Sequence, residues 1–187
     1  MRILVYALPR TGSTVLAHYI ANSFHSRAII EPYHEQRFWD KDLVESDIWN
    51  KDNVVVKMMF GQGGYWYKDI KDKFNKVVVL YRENAKEQAE SYIHAKKSID
   101  WHIPYIYDPS STTEEEYNEA YTAFKDRIEE VDTINDFKIS YEDLYISGKD
   151  KDRLNQHLGI TNKSFEFMLD SRNKYRQSGS KVKKTLI

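Results

Sequence analysis

A chain of 187 residues with 28 basic and 29 acidic side chains has a formal net charge of −1, which gives no global reason to bind nucleic acid or an anionic membrane. The absence of cysteine excludes disulfides, thiolate catalysis and cysteine-ligated zinc, and it fits a reducing compartment. The length suits a single domain over residues 1–187. The short apolar run at the start is too brief for a signal peptide or a membrane span, so we expect a soluble, cytoplasmic protein.

The pattern of apolar residues predicts strands that alternate with helices. The chain opens with a continuous apolar strand at 2–7, followed by a helix at 13–24, a strand at 27–31, a loop-and-helix insertion at 33–50 and a strand at 53–59. After these come a helix at 65–74, a strand at 76–81, a helix at 84–97, an ordered loop at 99–112, a helix at 113–131, a strand at 137–140, and helices at 149–158 and 163–170. This alternation predicts an α/β fold, a single-domain parallel β-sheet flanked by helices.

Residues 8–14, Leu-Pro-Arg-Thr-Gly-Ser-Thr, connect the first predicted strand to the first helix. The N–H groups at a helix start and the helix dipole favour an anion at this point. Gly12 allows the backbone to approach a ligand closely, and Arg10 supplies a planar cation. Hydroxyl donors are offered by Thr11, Ser13 and Thr14.

The same loop differs from the nucleotide-triphosphate P-loop, G-x-x-x-x-G-K-[ST]. In an alignment on Gly12, Ala7 replaces the first glycine and Ser13 replaces the lysine. The cation has moved into the loop, to Arg10. The loop therefore predicts a phosphate cradle that lacks the parts for metal-assisted γ-phosphoryl transfer. The six histidines have no spacing typical of metal ligands, so we predict no metal site.

Charged residues occur at or near the carboxyl ends of four predicted strands. They are Arg10, Glu31, Lys57 and Arg82. In open parallel sheets ligands bind beyond the carboxyl ends of the strands, so we expect these side chains to converge on one crevice.

Three motifs in this order resemble those of sulfotransferases that use 3′-phosphoadenosine-5′-phosphosulfate (PAPS). Residues 9–14 match the family loop P-[KR]-[ST]-G-[ST]-T, and a strand ending in Arg82 precedes a helix that carries Ser91. Residues 139–144, Ile-Ser-Tyr-Glu-Asp-Leu, match a family turn that is followed by a helix closing on Leu-Gly, here at 158–159. The resemblance covers about residues 1–160 and implies the P-loop NTPase-like sulfotransferase fold.

The resemblance also implies how the donor PAPS and the product 3′-phosphoadenosine-5′-phosphate (PAP) bind, without a metal. The 5′-phosphosulfate is held by Arg10, Thr11, Gly12, Ser13 and Thr14, and the 3′-phosphate by Arg82 and Ser91. Tyr141 matches the tyrosine that contacts adenine, although a buried turn residue is an equal alternative. Arg176, in the basic tail 171–187, is the nearest match to a C-terminal element that covers the 3′-phosphate, and a solvated tail is the alternative.

Sulfuryl transfer needs a base that takes the acceptor proton. In the cytosolic enzymes this base is the histidine of a Lys-x-His motif, and Met59 stands in its place here, so the base must come from elsewhere. Lys57 keeps the lysine, and we predict that it and Arg10 stabilise charge on the transferring group; a strand-end lysine that reaches solvent is the alternative. Glu31 is the predicted base, with His34 and Glu35 as the next choices. A Glu31 that only pairs with Lys57 is an equal alternative.

The predicted function is sulfuryl transfer from PAPS to a hydroxyl or amine acceptor, a small molecule or glycan whose identity the sequence leaves open. The alternatives are a P-loop kinase or other phosphotransferase, and an adenine-nucleotide-binding module without catalysis. We predict no nucleic-acid or membrane partner. Because the chain is short for the family, a homo-oligomer in which a partner subunit completes the pocket stays open.

Overall fold

In a computed structural model, residues 1–32, 51–61, 67–97 and 112–161 are described. Their strands form one five-stranded, all-parallel sheet in the order β2-β3-β1-β4-β5. The strands are β1 (Arg2–Ala7), β2 (Arg27–Ile30), β3 (Val54–Met59), β4 (Lys76–Tyr81) and β5 (Lys138–Ser140). This is the predicted α/β architecture.

The helices lie between the strands in the chain. They are α1 (Ser13–Ser23), α2 (Tyr67–Ile70), α3 (Ala85–Lys97), α4 (Glu114–Asp132) and α5 (Lys151–Leu158). A 3₁₀ turn (Lys71–Lys73) follows α2, and one π-helical turn (Glu142–Ile146) follows β5. No described helix is long and apolar enough to cross a bilayer.

The central strand β1 is buried on both faces, because helices cover both sides of a parallel sheet. Alternate side chains of β1 enter two separate cores. One core joins β1 to α1, the π-helical turn and α5 through Ile3, Val5, Leu16, Ile20, Leu144 and Leu154. The other joins β1 to α2 and α4 through Leu4, Tyr6, Ile70 and Val131.

The strand register brings the carboxyl ends of the sheet to one edge. Ala7 of β1 pairs with Met59 of β3 on one side and with Leu80 of β4 on the other. On the outer strands, Ile30 pairs with Lys57 and Tyr81 pairs with Ser140. Residues that directly follow β1, β2, β4 and β5 therefore lie along the same edge, as the sequence predicted.

Most predicted boundaries agree with the structure to within one or two residues. In the helix predicted at 65–74, the described residues from 67 onward form one α-helical turn followed by a 3₁₀ turn that ends at Lys73. Strand β2 ends one residue early because Glu31 has a left-handed backbone, with φ of 48°. The predictions for 33–50, 99–111, 163–170 and the tail 171–187 lie outside the described residues.

Candidate functional site

Helix α1 begins without a side-chain cap. Its N-cap is Gly12, and its first turn, described in full, contains no acidic side chain. The first N–H groups of a helix have no partner within the helix. Helix α4 shows the contrast, because Thr113 and Glu116 form a capping box at its start. These features of the N-terminus of α1 favour a bound anion, and Ser13 and Thr14 add hydroxyls there.

Gly12 is required at this helix start for two reasons. Its φ of 75° is left-handed, a conformation that costs energy for residues with a Cβ. A Cβ at this position would lie 3.0 Å from Cε2 of Tyr145. The Tyr145 hydroxyl donates a hydrogen bond of 2.8 Å to the Gly12 carbonyl, and burial raises the pKa of this tyrosine well above its usual range. Tyr145 is thus a site residue that the sequence analysis missed.

The β1–α1 loop, residues 8–12, is also held by its own side chains and by α3. The hydroxyl of the fully buried Thr11 donates to the Leu8 carbonyl over 2.8 Å, so its proton is used inside the loop. The Gln88 side chain on α3 donates to the Pro9 carbonyl over 2.6 Å. Arg10 itself has a left-handed φ of 64°. Such conformations in residues with a Cβ are concentrated at functional sites.

Arg10, Ser91 and Arg82, three residues of the predicted PAPS site, lie near one another beyond the carboxyl ends of β1 and β4. Nε of Arg10 donates to Oγ of Ser91 over 3.2 Å. Burial lowers the pKa of Arg10, and the positive charge of the nearby Arg82 lowers it further. Two guanidinium groups and a hydroxyl thus share one part of the crevice, close to the N-terminus of α1, where an anion relieves their mutual repulsion.

Arg82 is held firmly from several sides. It is 7% exposed, and its guanidinium carbon lies 4.6 Å from the ring centroid of Tyr141. It forms ion pairs with Glu87 and with Glu142, whose Oε1 lies 3.6 Å from Nε. Glu142 in turn accepts the backbone N–H of Glu83 over 3.0 Å, which fixes the turn after β4.

Tyr141, the residue predicted to contact adenine, is buried at 6% exposure and packs on Arg82. Glu142 is part of the Tyr-Glu-Asp-Leu motif, but no role for it was predicted from the sequence. Its position beside Arg82 identifies it as a support for this guanidinium. Within the described ranges no group accepts a hydrogen bond from Nε of Arg82, so this N–H can donate to a ligand.

Lys57 and Glu31 form an ion pair on the other side of β1. The side chain of Lys57 is 3% exposed, whereas that of Glu31 is 26% exposed. The Glu31 N–H donates to the Lys57 carbonyl over 2.8 Å, and the left-handed backbone of Glu31 departs from the strand. The pairing with Lys57, which was the alternative to a role of Glu31 as the base, is therefore present, and it places a carboxylate beside a buried ammonium whose desolvation is costly.

The order of the strands spreads the site along one edge of the sheet. From β2 to β5 the residues at or near the strand ends are Glu31, Lys57, Arg10, Arg82 and Tyr141. Neighbouring strands are about 4.8 Å apart, so the carboxyl ends of β2 and β1, which are separated by β3, are about 10 Å apart. His34, Glu35 and Arg176 lie outside the described residues. Among the residues that are described, no group of three or more His, Asp or Glu side chains is arranged to hold a metal ion.

Comparison with known proteins finds likeness in structure only. No family model matches the chain, and no curated protein matches it in sequence. The structure is similar to that of shikimate kinase from Bacteroides thetaiotaomicron, with a TM-score of 0.56 and 14% identity over 86% of this chain and 99% of the kinase.

It is also similar to mouse sulfotransferase SULT7A1 complexed with PAP, with a TM-score of 0.60 and 18% identity. That match covers 91% of this chain and 63% of the sulfotransferase, so the chain spans less than two thirds of that protein. Identities this low establish the fold alone. The chain therefore has the P-loop-like α/β fold found in a kinase and in a sulfotransferase.

Proposed function

We propose that the protein is a sulfotransferase that moves the sulfuryl group of PAPS to a hydroxyl or amine acceptor. The observation that carries this proposal is the meeting of Arg10, Ser91 and Arg82 beside the uncapped N-terminus of α1. The site offers two anion-binding regions at adjacent strand ends. A donor with phosphate groups on both its 5′ and 3′ positions matches such a pair.

The 5′-phosphosulfate binds at the start of α1 in this proposal. The free N–H groups after Gly12 and the hydroxyls of Ser13 and Thr14 donate to its oxygens, and Arg10 neutralises charge. Thr11 contributes through the shape of the loop, because its hydroxyl proton is bound to Leu8.

The 3′-phosphate binds Arg82 and Ser91. Arg82 must then exchange one of its carboxylates for the phosphate. Glu87 is the one that leaves, because its side chain is 54% exposed and can turn into solvent, whereas that of Glu142 is 22% exposed. Tyr141 supports Arg82 from below, and its contact with adenine stays a prediction.

The ion pair of Lys57 and Glu31 supplies the chemistry. Glu31 takes the proton of the acceptor hydroxyl while the acceptor oxygen bonds to sulfur, and the bond from sulfur to the bridging oxygen breaks. The electron pair of that bond stays on the departing phosphate. Protonation of Glu31 weakens its ion pair with Lys57, so the ammonium can interact with this phosphate when the charge develops.

A kinase on the same fold is the second candidate, favoured by the likeness to shikimate kinase. The loop argues against it, because Ser13 stands where the lysine of the triphosphate loop is needed. A nucleotide-binding module without catalysis is a third candidate, since Met59 replaces the usual histidine of the resembled enzymes.

Two assays separate these candidates. Calorimetric titration with PAP, and separately with ATP and Mg²⁺, should give binding of PAP only; tighter binding of ATP with Mg²⁺ supports the kinase. Transfer of labelled sulfate from PAPS to a panel of sugars, phenols, amines and tyrosine peptides should then identify an acceptor. Binding of PAP without transfer to any of them supports the silent module.

If Glu31 is the base, Glu31→Gln lowers turnover by about 10²- to 10⁴-fold while PAP affinity changes little. An unchanged turnover in this variant rejects the assignment. The exposed Glu90 on α3 provides a matched control, because Glu90→Gln removes one carboxylate away from the proposed chemistry.

A further inference from the structure

Gln88 is an unexpected polar residue in the core. It lies on α3 with 0% exposure, among buried neighbours of the same helix that are apolar, Ala89 and Ile93. Its Nε2 donates to the Pro9 carbonyl over 2.6 Å. Among the described residues, nothing donates a hydrogen bond to its Oε1, which is buried. Half of this carboxamide is therefore left unsatisfied, which opposes folding.

The hydrogen bond to Pro9 acts on a strained piece of backbone. The next residue, Arg10, has a left-handed φ of 64°. Such a conformation persists only where the surroundings hold it in place. Two side chains of α3 contact these two loop residues, Gln88 at the Pro9 carbonyl and Ser91 at the Arg10 guanidinium.

Gln88 and Ser91 are three residues apart, so they lie on the same face of α3. Tyr145 holds the loop on its other side through Gly12. The loop is thus held at three residues, Pro9, Arg10 and Gly12, by side chains from two distant segments of the chain. Of these three side chains, Gln88 is the one with a buried atom that finds no hydrogen-bond partner in the described part of the chain, and an apolar side chain in its place would not carry that atom.

We infer that Gln88 is a positioning residue that holds Pro9 and Arg10 in the geometry needed by the anion at the start of α1. The inference rests on the proposed function for the identity of that anion, the 5′-phosphosulfate of PAPS. It also means that α3, which carries Ser91 of the 3′-phosphate region, fixes the 5′-phosphate loop. A displacement of Arg10 by about 1 Å would lower the rate of the transfer reaction by up to about a hundredfold.

Gln88→Met tests the inference, because methionine has a similar length and no hydrogen-bond donor. Ile93→Ala is the control, since Ile93 is buried on the same helix at 4% exposure and has no polar atom to hold the loop. Thermal unfolding, hydrogen exchange of the peptide 8–14 and calorimetric titration with PAP are measured on each protein. Gln88→Leu, which also removes the carboxamide, serves if Gln88→Met does not fold.

We expect Gln88→Met to unfold near the wild-type temperature, because the loss of the unsatisfied Oε1 offsets the loss of the hydrogen bond to the Pro9 carbonyl. Its 8–14 peptide should exchange at least tenfold faster, and PAP should bind about tenfold more weakly. Ile93→Ala should unfold at a lower temperature with PAP affinity near that of the wild type. Gln88→Met should thus lose affinity for PAP without losing stability, whereas Ile93→Ala should lose stability without losing affinity. A residue that only packs does not produce the first of these results.

The outcomes separate the inference from the function it rests on. If the wild type binds PAP and Gln88→Met binds it equally well, the inference is overturned. If affinity falls only together with thermal stability, Gln88 is a packing residue and the inference is again overturned. If the wild type does not bind PAP, the proposed function fails, and the exchange of the 8–14 peptide alone decides whether Gln88 holds the loop.

Discussion

The ion pair between Lys57 and Glu31 makes a prediction about stability that is separate from catalysis. Glu31→Gln removes the carboxylate that pairs with the ammonium of Lys57, whose side chain is 3% exposed, so this buried cation loses the counter-charge of Glu31. Removing one partner of a buried ion pair costs about 3–5 kcal/mol. Because the Glu31 side chain is 26% exposed, we take the lower end, about 3 kcal/mol. For a domain of this size each kcal/mol corresponds to about 2–4 °C, so the unfolding temperature should fall by about 6–12 °C.

A double-mutant cycle isolates this term. Lys57→Met places an apolar side chain of similar length beside Met58 and Met59 on a buried strand, and it should change stability by less than about 1.5 kcal/mol. The double variant should then be about as stable as Lys57→Met alone, which gives a coupling energy of about 3 kcal/mol. Urea unfolding of the four proteins, followed by circular dichroism, measures it. A coupling energy near zero would refute the reasoning, because it would mean that Lys57 finds other compensation.

Three further predictions concern the framework of the site. Gly12→Ala should lower stability by about 1–2 kcal/mol for its left-handed φ alone, measured by urea unfolding, and stability equal to wild type would contradict the geometry. Tyr145→Phe, which keeps the ring and loses the hydroxyl that donates to the Gly12 carbonyl, should cost about 1 kcal/mol in the same assay, and stability equal to that of the wild type would contradict the role of this hydroxyl. Burial lowers the pKa of His157, so the stability it contributes is present above the ordinary histidine pKa and is lost as the pH falls through its lowered value. The unfolding temperature should therefore fall less between pH 7 and pH 5 in His157→Gln than in the wild type or in a control variant of the exposed His18. Equal falls in all three proteins would show that protonation of His157 is not coupled to unfolding.

Much of the fold follows from local features of the sequence. Continuous apolar runs such as 76–81 have few alternatives to a buried parallel strand, and the observed β4 has the same bounds. The position of the site follows from the parallel topology. Glu31 and Arg82 come directly after their strands, and Arg10 lies three residues after the end of β1. Parallel pairing brings such residues to one edge whatever the details of the connections.

The supports of the site could not be predicted in this way. Tyr145 contacts Gly12 across 133 positions of sequence, and Gln88 contacts Pro9 across 79. Neither residue has a local signature, because their roles depend on how distant elements pack. The left-handed backbone of Glu31 could not be predicted either, since a glutamate rarely adopts it. The hydrogen bond from the Glu31 N–H to the Lys57 carbonyl depends on the register between β2 and β3, which the sequence does not specify locally.

The central claim is that one ligand spans the 5′ region at α1 and the 3′ region at Arg82. Calorimetric affinities of PAP and of adenosine 5′-phosphate, which lacks the 3′-phosphate, test it directly in the wild type and in Arg82→Met. A charge-assisted hydrogen bond to phosphate contributes about 1.5–3 kcal/mol, so the wild type should bind PAP about ten- to a hundredfold more tightly than adenosine 5′-phosphate. That preference should be largely lost in Arg82→Met, where Ser91 alone still contacts the 3′-phosphate, while the weaker ligand is bound as before. Equal affinities for the two ligands in the wild type, or a preference for PAP that is undiminished in Arg82→Met, would contradict the account.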